Sequence, residues 1–106
     1  MAETRVPIDS QALALRQASH ALWLATLSLM TAFMHNQAPA HRLLLARRIA
    51  ANLHTLGRQE CMADRSRQTF DRLSARWWAR AECLALQAQP ERAQQGPSLA
   101  AWLRLR

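Results

Sequence analysis

The chain has 106 residues, half of them hydrophobic, with 2 Gly, 4 Pro and 2 Cys. That is one domain's length, with too few cysteines for a disulfide scaffold and no period-two alternation of β-branched residues, so β architectures are excluded and an all-α fold is expected. All 14 basic residues are Arg and the net charge is +7, a balance that favours phosphate, acidic partners or anionic surfaces.

Residues 1–8 read as a flexible N-terminal arm. Asp9 or Ser10 can cap the first helix, whose most apolar part is the run Ala21–Met34. Wound at helical pitch, Leu15, Ala18, Leu22, Ala25, Leu29 and Phe33 share one face, close to a heptad seam. An adjoining face collects Trp23, Leu27, Met30 and Met34. Only a narrow sector is polar, with Gln17, His20, Ser28, Thr31 and His35, and Leu24 among them. Such a helix needs cover on two sides, from two further helices or from one helix and a partner subunit. Gln17, Ser19, His20, Thr26, Ser28 and Thr31 interrupt the run, so it reads as a core or interface helix and no transmembrane segment is expected. The run starts too late for a signal peptide, and the cysteines are expected to be reduced thiols of a cytoplasmic protein.

The first helix should end near Asn36, a residue tolerated in a left-handed cap, and Pro39 suits the first turn of the next. So short a connection makes the two helices antiparallel neighbours. The second helix is predicted from about Ala40 to Glu60, running a turn past Gly57. Leu45, Ile49, Leu53 and Leu56 fall on its stripe with Ala46 and Ala50 beside them, while Leu44 stands among the polar positions. A third helix should begin at Asp64 or Ser66, either of which can cap it, and end near Gln89. Phe70, Leu73, Trp77, Ala81 and Leu84 make its core stripe, and Trp78 points about 100° away from Trp77. Residues 90–97 read as a linker because of their Pro, Gly and Gln content. Ser98 then caps a short amphipathic helix over 98–106. That helix is too short to stand alone, so Leu99, Trp102 and Leu103 are expected to dock on the body of the protein or on a partner. The expected architecture is thus an antiparallel three-helix bundle over 9–89 with a short C-terminal helix, completed by dimerisation.

Charge is unevenly spread. Residues 1–36 are net zero, 37–63 carry +3, 64–89 carry +2 and the tail +2. On the third helix Arg65, Arg72, Arg76 and Arg80 recur on one face, where guanidinium groups can track a phosphate backbone or an acidic partner. Arg47, Arg48 and Arg58 can extend that surface. Two plainer readings stand beside this one. An Arg stripe is also an ordinary solvated helix face, and an Arg-rich, Lys-free chain also follows from a GC-rich coding sequence.

No catalytic constellation is present. The chain has only Gly57 and Gly96, hence no Gly-rich phosphate loop, and its four histidines are scattered without zinc spacing. His54 and Cys61 lie seven apart across a helix end, a spacing that chance explains. No cofactor, metal or catalytic residue is expected. Residues 66–77 resemble the recognition helix of a helix-turn-helix, but that register puts Glu60 where a small residue is needed and Asp64 where the turn prefers Gly, so the resemblance fails. The expectation is a small non-enzymatic helical interaction protein of the adaptor, chaperone or regulatory-subunit type. The alternative is an Arg-rich nucleic-acid-binding protein that contacts backbone phosphates. Trp23, Leu27, Met30, Met34, Leu44 and Trp78 are the candidate oligomer interface of a homodimer with an unknown protein partner; peripheral membrane contact is not expected.

Overall fold

The computed structural model describes the backbone of residues 2–104 and the side chains of 10–88. Three helices account for nearly all of it: α1 (Ala2–His35), α2 (Pro39–Gly57) and α3 (Asp64–Arg104). Among the described residues there is no strand. α1 starts at Ala2, where a loose arm was expected, and α3 runs through 90–97, where a linker was expected, to Arg104. Both extensions pass prolines, Pro7 in α1 and Pro90 and Pro97 in α3, which lack the amide for the bond four residues back. The neighbouring Ala, Gln, Glu and Arg residues are good helix formers and favour continuing the helix past the prolines. The predicted docking of Leu99, Trp102 and Leu103 falls on side chains outside the described residues.

α2 lies against both other helices. Its Leu43, Ala46, Ile49, Ala50, Leu53 and Leu56 are all buried, and with Phe33, Ala81 and Leu84 they form the centre of the core. The small side chains of Ala46, Ala50, Ser74 and Ala81 let α2 and α3 come close, and the buried Ser74 hydroxyl donates to the Ala50 carbonyl at 2.8 Å. α1 and α3 meet differently. Among the described residues no Cα of α1 comes within 8 Å of α3. Large aromatics bridge the gap: Trp23 meets Phe70 edge-on at 5.2 Å, and Phe33 meets Trp77 at 5.0 Å.

The face α1 turns inward differs from the expected stripe. Buried Ser19, Thr26 and Phe33 lie seven apart, with Leu22, Trp23, Leu29 and Met30 packed beside them. Leu15, Ala18 and Ala25 are exposed. The inward seam thus lies between the two apolar faces read from the sequence, and it is centred on small hydroxyl residues. Thr26 satisfies its hydroxyl within α1, donating to the Leu22 carbonyl at 2.7 Å. Ser19 meets the Cys61 thiol at 3.6 Å.

The connections follow from a few residues. Asn36 does not adopt a left-handed conformation, since no described residue has positive φ. Instead its side-chain oxygen accepts from the Ala38 amide at 3.0 Å, closing an Asx turn that leads into Pro39 at the start of α2. α2 stops at Gly57, not a turn later. A Cβ there would collide with the Asp71 carboxylate and lie 3.3 Å from the Arg67 carbonyl. Glycine is therefore present for the close approach of α3. Arg67 Nε reaches back to donate to the Gly57 carbonyl at 3.2 Å, capping α2 from another helix. At the start of α3 the Ala63 carbonyl accepts the first helical bond, from Arg67 N at 3.0 Å. Asp64 is therefore inside the first turn, where its charge suits the helix dipole, and it does not act as the cap.

Candidate interaction surfaces

The six residues of the candidate oligomer interface divide. Trp23 and Met30 pack onto the core from α1. Leu27 and Met34 are exposed on the outer side of α1, at 41% and 80%. Leu44 and Trp78 come together elsewhere, in a shallow groove of about 650 Å³ that crosses the outer face of α2. Leu29, Leu45 and Ala51 add apolar lining to that groove and Arg47 and Arg48 its charge; no carboxylate lines it. Leu44 is 60% exposed and Trp78 43%. Each is too large and apolar for water to be its natural cover, and each lies on a different helix.

The basic residues divide too. Arg65, Arg72, Arg76 and Arg80 are exposed on α3. Arg76 and Arg80 flank a recess of about 240 Å³ walled by Phe33 and Trp77. Arg47 and Arg48 line the groove on the Trp78 side. Trp77 and Trp78 are adjacent in sequence and about 100° apart on the helix, so the recess beside Trp77 and the groove beside Trp78 adjoin different walls of α3. Arg58 faces a third recess, shared with Asp64, Arg67 and Asp71. Arg47 with Arg48, Arg58, and Arg76 with Arg80 thus line three different recesses. Residues 10–88 hold ten arginines against four acids. One ion pair joins them among the described residues, Arg67 with Asp64 at 3.7 Å on the surface.

Arg42 was not singled out by its sequence position. Its guanidinium lies 4.2 Å from the centroid of the Phe33 ring, a cation–π contact that covers the top of the core. Its Nε is buried without a hydrogen-bond partner. The signal available in sequence was weak: an arginine in the first turn of a helix directly after a connection that holds an aromatic nearby.

Neither cysteine is in a disulfide, and both are exposed. Cys61 has Ser19, not His54, as its neighbour. Among the described residues no three His, Cys, Asp or Glu side chains are placed to hold a metal ion. Among the same residues no helix is long and apolar enough to cross a membrane. Comparison with family models, curated proteins and solved structures returns no match.

Proposed function

We propose that this chain is a non-enzymatic interaction protein of the adaptor, chaperone or regulatory-subunit kind. In this reading it is an antiparallel three-helix bundle, completed by a second copy, that offers the groove over α2 to a protein partner. The groove itself supports the reading: Leu44 and Trp78 stand half-exposed on two helices, with Arg47 and Arg48 beside them. Trp and Arg are the residue types that dominate interface energetics, and a basic rim selects a partner with acids around an apolar face. The bundle topology draws support from contact order. The α1–α3 aromatic pairs ascend together, Trp23 with Phe70 and Phe33 with Trp77, and Ser19 meets Cys61 just before α3, whereas Ala50–Ser74 and Gly57–Arg67 run oppositely along α2 and α3. The test is quantitative capture with the full chain as bait, wild type against Leu44→Glu and Trp78→Ala. A partner enriched by wild type and lost by both variants is expected. An identical set of captured proteins for all three baits overturns the reading.

A second reading is nucleic-acid binding through phosphate contacts. It is favoured by the ten arginines with a single ion pair among the described residues, and by Arg76 and Arg80 standing beside Trp77. Fluorescence anisotropy with a labelled DNA duplex and an RNA single strand, at low and near-physiological salt, tests it. Binding that falls steeply with salt and weakens when Arg72, Arg76 and Arg80 become Gln supports it. No binding at low salt removes it.

A further inference from the structure

α1 carries two seams, and the chain itself covers one. The inner seam runs through Ser19, Thr26 and Phe33. Roughly 130° around the helix, a second runs through Leu13, Gln17, His20, Leu24, Leu27, Thr31 and Met34. The steps between successive members alternate four and three residues over three heptads, the spacing at which two helices wind about each other. Every member is exposed. The four large apolar ones keep 53% (Leu13), 51% (Leu24), 41% (Leu27) and 80% (Met34) of their surface in contact with solvent. At helical rise the seam is about 32 Å long, and no Asp, Glu, Lys or Arg occurs in it.

We infer that a second copy of this chain seats on this outer seam, α1 against α1. The inference rests on the dimer reading above and assigns its surface. Charge selects the occupant. Two copies of a chain of net charge +7 repel each other, and the described arginines of α2 and α3 would meet their own kind if those faces paired. From Gln17 to Met34 α1 carries no formal charge, so over most of this face two copies approach without opposing arginines, and Arg16 flanks it only at the Leu13 end. The pattern is also self-complementary, as a two-fold interface requires. Gln17, His20 and Thr31 are uncharged groups that can pair across the seam or stay at its edge, and polar residues at such positions fix register. The geometry leaves room. α1 and α3 share no Cα–Cα approach within 8 Å among the described residues and meet through the Trp23–Phe70 and Phe33–Trp77 pairs, so α3 does not cover the outer seam, whose members are all exposed.

Sedimentation equilibrium of the full chain over a micromolar concentration series tests the assignment. The wild type is compared with a seam variant, Leu24→Glu with Leu27→Glu, and a groove variant, Leu44→Glu with Trp78→Glu. The expected result is a wild-type dimer, a monomeric seam variant with unchanged helical circular dichroism, and a groove variant that remains dimeric. A dimer that survives the seam variant but dissolves with the groove variant overturns the assignment and leaves the dimer reading standing. A wild-type monomer at every concentration overturns both. Should the doubly charged variant lose its helicity, Leu24→Ala serves instead, because it trims an exposed side chain without adding charge. It is expected to weaken self-association about tenfold or more, and an unchanged dissociation constant overturns the assignment.

Discussion

α1 and α2 differ in a way their sequences conceal. α1 contains the most apolar run of the chain, yet Leu13, Leu24, Leu27 and Met34 on it face solvent. α2 is shorter and has a net charge of +3 where α1 has none, yet Leu43, Ile49, Leu53 and Leu56 on it are almost wholly buried. The difference lies in the neighbours. α2 is flanked on two sides, and Ala46 and Ala50 let α3 approach until Ser74 reaches the Ala50 carbonyl. α1 is packed on one side only, and part of that packing is aromatic contact across a gap. Apolar content therefore measures how much a helix has to bury, while the side chains at its contacts decide how much one chain can bury for it.

The sharpest way to break this comparison is to remove one leucine from each helix. Leu53→Ala empties a fully buried site between helices and should cost roughly 2–5 kcal/mol. Leu24→Ala trims an exposed side chain and should change the stability of the dilute monomer by no more than about 0.5 kcal/mol. Urea denaturation at a protein concentration low enough to prevent self-association reads both. Equal losses at the two sites would mean that α1 is covered within the chain, contrary to its exposure here.

A smaller effect sharpens the account of where α2 stops. If Gly57 is present for space, its replacement should scale with size, because no described residue has positive φ. Gly57→Ala meets the Asp71 carboxylate, a mobile end that can swing away, and the Arg67 carbonyl at 3.3 Å, which has to yield slightly. The gain in helix propensity offsets that, so the net change should stay within about 1 kcal/mol. Gly57→Leu has no such room and should cost about 1–3 kcal/mol. Similar losses for Ala and Leu in thermal unfolding would point to a backbone requirement instead.

The three helices were legible because their apolar residues repeat at helical period. The start of α2 at Pro39 and the stripe Phe70, Leu73, Trp77, Ala81 and Leu84 follow from that pattern and from proline's place in a first turn. The rotation of α1 was not legible. A helix apolar on two faces gives no direction to its burial, and its inner seam is centred on Ser19 and Thr26, which a hydrophobic pattern discounts. The cap that Arg67 gives to Gly57 and the cover that Arg42 gives to Phe33 are contacts between distant segments, and charge counts do not reveal them. Among the candidate surfaces, Leu44 and Trp78 stood out in sequence because each lies off its helix's apolar stripe. The separation of Arg47 and Arg48 from Arg76 and Arg80 depends on which wall of α3 each group adjoins, and that is set by packing.

The smallest expected effect is at Thr26, and it tests whether the inner seam of α1 depends on its hydroxyls or only on their size. Thr26 is fully buried, yet its hydroxyl donates to Leu22 of its own helix and to nothing across the interface. The Leu22 carbonyl lies four residues back, where the Thr26 backbone amide also points, so removing the hydroxyl leaves no orphaned acceptor. Thr26→Val keeps the branch at Cβ and nearly the same volume, and it removes a polar group that contributes nothing between helices. Stability should therefore be unchanged or should rise by up to about 1 kcal/mol. Ser74→Ala is the contrasting case, because its hydroxyl spans two helices to reach Ala50, and it should lose about 0.5–1.5 kcal/mol in the same urea titration. A loss at Thr26 equal to that at Ser74 would show that the α1 hydroxyl contributes to packing beyond its own helix, and the inner seams of α1 and α2 would then be held by the same means.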